Sequence, residues 1–225
     1  MAPLTSERSI MCYRDAGNSG GATCNVIVPT GRQAGVAGLA KGPPIVVNNV
    51  NSGPTFFHSV AYLAPKGKAV ICYQDVRDSW IPSENHKGRC IEVYDQSYAL
   101  PPQADYIKAL PNSLETGGGT DYDALFFTLR PTSYISVFAA GSDSVVCFRD
   151  DGGNGEIFCR TIVFDPLTDG LKVGSEVQLS MQPGAMVDAV ALSQDSGLVC
   201  FQDSGNNSAT RCSHVQVSVT SSHRS

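Results

Sequence analysis

Charge is scarce in this chain. Asp, Glu, Lys and Arg make up 16% of its 225 residues, against about a quarter in an ordinary soluble domain. The net charge of -5 has no concentrated run behind it. There is no basic stripe for nucleic acid and no Lys/Arg-flanked amphipathic segment for a membrane surface. Long apolar runs are missing too: ISVFAAG, residues 135–141, falls far short of the roughly 20 residues that span a bilayer. No segment shows a 3.6-residue apolar period, although PPQADYIKALPNSLE is ambiguous and leaves a helix open around Ala99 to Leu114. There is no P-loop and no H-E-x-x-H, so no nucleotide loop or zinc-protease site can be argued. The first ten residues, MAPLTSERSI, lack the apolar core of a signal peptide.

Turns and cysteines are plentiful. Gly 22 and Pro 13 punctuate a chain too rich in aliphatic and aromatic residues for disorder. Its length suits one all-β domain. Four copies of one unit account for most of it: IMCYRDAGNSGGATCNVIV, VICYQDVRDSWIPSENHKGRCIEVY, VVCFRDDGGNGEIFCRTIVF and LVCFQDSGNNSATRCSHVQV. Each reads apolar, apolar, Cys, aromatic, Arg or Gln, Asp, a polar loop, then Cys and an alternating strand. Three copies share an upstream stretch beginning at Pro54, Pro131 and Pro183. Repetition at about 50 residues is the signature of propellers and other arrays. The expected fold is all-β: four tandem repeats of about four short antiparallel strands, most simply a β-propeller or a fragment of one. In repeat 2, SVAYLA, KAVICYQD, CIEVYD and ADYIKAL are the four strands. The repeats are 1–53 (N-terminally incomplete), 54–130 (with an insertion), 131–182 and 183–225 (C-terminally incomplete), together one domain. The two partial repeats favour a piece of a longer array, and the missing signal points to a targeting segment outside this stretch.

Spacing assigns the cysteines. Cys12 and Cys24, Cys147 and Cys159, and Cys200 and Cys212 all lie 12 positions apart; Cys72 and Cys90 lie 18 apart, with the extra residues in the loop. A hairpin centred six residues after the first cysteine puts each pair directly across the ladder, within disulfide range. Eight cysteines allow 105 pairings, and the repeat selects these four. Structural zinc needs ligands two to four residues apart, and His58, His86, His214 and His223 occupy no repeated position. The bridges imply a secreted, extracellular or otherwise oxidising location.

The hairpin VCFRDDGGNGEIFC raises a second chemistry. With Cys147 opposite Cys159, Asp150 faces Glu156, and two opposed carboxylates repel. Calcium held by Asp150, Asp151, Asn154 and Glu156 would relieve them. The partner carboxylate does not recur, however: Asp15 faces Gly21 and Asp203 faces Ala209. What recurs is the Asp itself (Asp15, Asp75, Asp150, Asp203), usually two residues before a Gly. Such an Asp fixes the turn by accepting backbone N–H bonds. This D-x-G hairpin, one per repeat, resembles the Asp-box hairpins of sialidase-type propellers over a few residues of each unit. The flanking Ser and Trp of that motif are absent, cysteine takes over the fastening, and no catalytic residue carries over.

Further candidates follow. Tyr13, Tyr73, Phe148 and Phe201 lie on the strand face opposite the cysteines, as packing between repeats or as sugar-stacking platforms. Ser59, Ser136 and Asp188 align in the first strand, as a polar ring facing water or a ligand. Trp80, in the long loop of repeat 2 beside Arg77, Glu84, His86 and Lys87, is a contact anchor or a cover for its own sheet. Asn206 opens an N-x-S sequon at a hairpin tip. The leading expectation is a non-enzymatic secreted repeat module that binds a glycan or an extracellular protein, or that assembles, with copies of itself among its partners. No cofactor is expected unless the calcium site forms. One alternative is a propeller-type glycoside hydrolase using the acidic cluster Glu115, Asp121 and Asp123, since that chemistry needs two positioned carboxylates. Another is a structural subunit of a filament or surface coat.

Overall fold

A computed structural model of the chain describes residues 1–4, 8–33, 36–42, 44–47, 54–76, 86–95, 107–109, 124–165 and 170–217. The fold is all-β, and every described strand pair is antiparallel. Repeat 1 contains β1 (Ala2–Pro3), β2 (Ser9–Asp15), β3 (Gly21–Gln33), β4 (Val36–Lys41) and β5 (Ile45–Val46). Repeat 2 contains β6 (Thr55–Leu63), β7 (Lys68–Asp75), β8 (Lys87–Asp95) and β9 (Ile107–Ala109). A long strand, β10 (Leu125–Ala140), leads into β11 (Asp143–Asp150), β12 (Ile157–Phe164) and β13 (Leu171–Gln178) of repeat 3. Repeat 4 contains β14 (Gly184–Ala191), β15 (Ser196–Asp203) and β16 (Ala209–Gln216).

The central hairpins follow from short apolar runs such as AVICY and VVCF, which suit strands buried on both faces, followed by a polar turn. In all four, the cysteines face each other across the ladder: Cys12 and Cys24, Cys72 and Cys90, Cys147 and Cys159, Cys200 and Cys212. All four pairs are disulfide-bonded, and no described cysteine is free. The expected partners of the third hairpin also hold, Phe148 with Phe158 and Arg149 with Ile157. Four bridges fit an oxidising compartment. Among the described residues, no helix is long and apolar enough to cross a membrane.

The fourth strand departs from expectation. Of ADYIKAL, the described residues 107–109 form the short β9, which pairs with the far end of β8 from Val93 to Asp95. Opposite the disulfide, β8 pairs instead with the start of β10, Leu125 with Cys90. Repeat 1 splits its outer strand the same way, with β4 at one end of β3 and β5 opposite Cys24. In repeat 3 a single strand, β13, covers both parts, with a register shift between Arg160 and Ile162. Strand β10 also crosses the boundary drawn at 130/131. Its first part completes the sheet of repeat 2, and its second part opens that of repeat 3 by pairing with β11.

The core lies between consecutive repeats. The cysteine-bearing face of one packs on the aromatic-bearing face of the next. Between repeats 1 and 2, Ile10, Cys24 and Val26 meet Ile71, Tyr73 and Ile91. Between repeats 2 and 3, Cys72, Cys90 and Phe127 meet Val146, Phe148 and Ile162. Between repeats 3 and 4, Val145, Cys147 and Cys159 meet Val199, Phe201 and Val215. The sheets of repeats 2 and 3 therefore use both faces, and neighbours stack with one polarity.

Candidate functional site

At the hairpin tips, the repeated Asp works as a turn cap. Oδ1 of Asp15, Asp150 and Asp203 accepts the N–H of Gly17, Gly152 and Gly205 at 2.9, 2.9 and 3.0 Å. The other oxygen takes a donor from nearby: Thr23 for Asp15, Arg89 at 2.7 Å for Asp75, Arg130 at 2.8 Å for Asp150, and Arg211 at 3.7 Å for Asp203. Asp203 is buried, and its cap opens a single 3-10 turn over Ser204–Asn206. Replacing it by alanine is expected to cost about 1 kcal/mol in denaturant unfolding, as cap loss does elsewhere, while Asp203→Asn retains most of the stability.

The oxygens suggested for calcium are held by N–H and O–H donors. Asp150 also accepts from Gly153, Asp151 accepts from the Ser133 hydroxyl at 3.0 Å, and Glu156 accepts the N–H of Asn154 at 2.8 Å. Bonds from its own backbone N–H and that of Asn154 keep the Glu156 carboxyl below its usual range. Asp150 and Glu156 thus each take backbone donors from the turn between them. Among the described residues, no group of three or more His, Cys, Asp or Glu side chains is gathered to hold a metal.

Two hydrogen bonds recur between repeats. The residue after each repeated Pro donates its N–H to a left-handed residue at the previous hairpin tip: Thr55 to Gly20, Thr132 to His86, and Gly184 to Gly155. The second involves the aligned polar residues of the first strand. Ser59 Oγ accepts the N–H of Val137 at 2.9 Å, and Ser136 Oγ accepts that of Ala189 at 2.9 Å. Ser136 also donates to Asp188 at 3.4 Å. These two serines, read as facing water or a ligand, accept backbone N–H groups and so fasten the first strand of one repeat to that of the next. A hydroxyl in that place satisfies a backbone N–H of the next repeat's first strand.

The bulges carry the feature that sequence reading missed. In β6, β10 and β14 the register shifts by one residue at equivalent places, and Phe57, Tyr134 and Met186 take φ of 52°, 49° and 52°. Bulky residues in the left-handed region are strained by about 1–3 kcal/mol each. The strain re-aims their side chains. The rings of Phe57 and Tyr134 lie 5.1 Å apart, and Phe57 and Met186 are exposed. Beside Tyr134, the Arg149 guanidinium sits 6.0 Å from the ring and 3.2 Å from Asp151. In the aligned stretches PTFFHS, PTSYIS and PGAMVD the fourth column reads Phe, Tyr, Met, which gives no sign of a left-handed residue.

Next to Phe57, His58 fills a slot occupied by Ile135 and Val187 in repeats 3 and 4. Its Nε2 lies 2.6 Å from the Thr55 hydroxyl. Burial, then the charge of Arg14, pushes its pKa down to about 4. The unfolded chain takes up the proton near 6.5, so the native state gains from a neutral His58 above that pH and loses the gain as pH falls towards 4. Acid unfolding curves are expected to lose up to about 3 kcal/mol through this group between pH 7 and 4, and His58→Ile flattens that slope.

Tyr73 does not reach solvent: with Phe148 and Phe201 it is buried between repeats, and none of the three offers a platform to a sugar. Tyr13 is half-buried, and its hydroxyl donates to Asn25 at 2.8 Å. Asn206 is exposed at its hairpin tip. Trp80, Arg77, Glu84, His223, Glu115, Asp121 and Asp123 lie outside the described residues. A cavity of about 400 Å³ opens between β12, β13 and β16, lined by Asp143, Arg160, Thr161, Glu176 and Val215 among others. Arg160 and Glu176 there are paired at 2.7 Å, and burial raises the Asp143 carboxyl. No protein-family model matches this chain, and no curated protein matches its sequence.

Proposed function

We propose that the chain is a secreted, non-enzymatic binding module of β-propeller type, whose sheets are blades and whose ligand is a glycan. The observation that carries this reading is the repeated strained bulge. Three equivalent positions keep a costly backbone conformation, and two of them bring aromatic rings together. Strain retained at a surface position points to a role beyond packing. The Phe57–Tyr134 pair offers an apolar surface to the C–H face of a pyranose. Ser133, Asp151 and Arg149 stand beside Tyr134 as partners for sugar hydroxyls. Such a mixture of aromatic wall and few polar groups suits a small-ligand site. Shallow sites of this kind gain from repetition along an array.

The test is a glycan array followed by calorimetric titration of the retained sugar. Phe57→Ala and Tyr134→Ala are expected to weaken binding about tenfold each, or about 1.4 kcal/mol. An array with no retained glycan, or binding untouched by both substitutions, sinks the proposal. Capture of an extracellular protein in the same experiment would assign the surface to a protein partner instead.

A further inference from the structure

Among the described residues, large apolar side chains are left in solvent on both end faces of the array. In repeats 2 and 3, the cysteine-bearing face is closed by the next repeat: Ala61 and Leu63 are 4% and 0% exposed, and Phe138 and Ala140 are both 3% exposed. Their counterparts in repeat 4, Val190 and Leu192, are 56% and 58% exposed, and the Cys212 edge of the same face is also in solvent. At the other end, the aromatic-bearing face of repeat 1 buries Thr23 and Asn25 but leaves apolar side chains around them in solvent. Met11 is 36% exposed, whereas Ile71, Val146 and Val199 at its position are fully buried. Leu39, which shares that face, is 73% exposed.

These two faces are the halves of a contact already made three times within the chain. Cysteine face meets aromatic face at every internal boundary, with the same polarity. The backbone at the open end of repeat 4 is set for it as well. Ser208, with φ of 59°, repeats the left-handed geometry of Gly20, His86 and Gly155, whose carbonyls accept the next repeat's N–H. Asp188 lies exposed at the position where Ser59 and Ser136 receive the following strand.

We infer that the cysteine face of repeat 4 binds the aromatic face of repeat 1 in a second copy of this chain. The contact is heterologous, so copies add head to tail and form either a closed ring or an open filament. It continues the internal stacking rather than inventing a new interface, and it is independent of the glycan reading. Loss of glycan binding leaves the association unchanged, and the reverse.

Sedimentation of the oxidised protein from about 1 to about 300 µM, the range in which weak contacts dissociate, reads the association directly. The wild type is expected to grow with concentration. Val190→Asp blocks one face and Met11→Asp the other, so each variant alone stays monomeric. Mixed in equal amounts they form a dimer and stop, because each supplies the one face the other lacks. Leu192→Glu and Leu39→Glu, at more exposed sites, repeat the experiment if either first variant fails to fold. A wild type that remains monomeric throughout overturns the inference. So does a single-face variant that still dimerises, which indicates a symmetric contact, or a mixture of folded variants that stays monomeric.

Discussion

Reduction and alkylation of all four disulfides is expected to unfold the chain without added denaturant. Each bridge closes a short hairpin, with cysteines 12 or 18 positions apart. In the chain-entropy account a loop of this size contributes about 3 kcal/mol. The four sit in separate hairpins and share no partner, so their contributions add to first order. Their sum, about 12 kcal/mol, is comparable with the whole stability of an ordinary domain, about 5–15 kcal/mol. Circular dichroism in the near ultraviolet, before and after reduction, reads the outcome. A reduced protein with an unchanged cooperative thermal transition would show that packing between repeats suffices alone. Removing one bridge, with both Cys147 and Cys159 replaced by alanine, should lower stability by about 3 kcal/mol and leave the fold intact.

Phe127→Ala is the second large effect. Phe127 is fully buried between repeats 2 and 3, with its ring 5.1 Å from that of Phe148. The space it occupies exists because Gly88 has no side chain: a Cβ there would stand 2.1 Å from the Phe127 ring. Truncation leaves a cavity between two sheets that cannot close on it, at an expected cost of about 3–5 kcal/mol. For a chain of this length that lowers the melting temperature by roughly 10 °C. Gly88→Ala alone should also destabilise, by forcing the ring out of place. Combined with Phe127→Ala it should cost less than the two separately, since the alanine methyl then enters the vacated space. Calorimetry on the four proteins closes the cycle. Strict additivity would mean that Gly88 and Phe127 do not meet.

What could be read in advance was whatever the chain specifies within one hairpin. Cysteine spacing, alternation and the Asp-x-Gly turn together set the register, and the pairs Cys147–Cys159, Phe148–Phe158 and Asp203–Ala209 stand where spacing put them. Features that depend on a second repeat were hidden. Ser59 and Ser136 stood out as polar residues in an apolar strand, but their partners are backbone N–H groups 78 and 53 residues away, and no side chain marks these. The bulges were hidden for another reason. A left-handed residue usually announces itself as Gly or Asn, and here the positions hold Phe, Tyr and Met. The split outer strand escaped because β9 and the start of β10 lie on either side of an insertion, and local alternation says nothing about which segment will lie beside Cys90.

Strand β10 has a mechanical consequence. It is hydrogen-bonded along its first part to β8 and along its second to β11, so the two middle sheets share one continuous backbone. Among the described residues, the outer seams have no common ladder and are held by side chains and isolated hydrogen bonds. Under tension or gentle heating the array should therefore part at those seams, releasing the flanking hairpins while the middle pair resists as a single clasp. Amide protons on either half of β10 should accordingly exchange at matched, slow rates, as one locked segment.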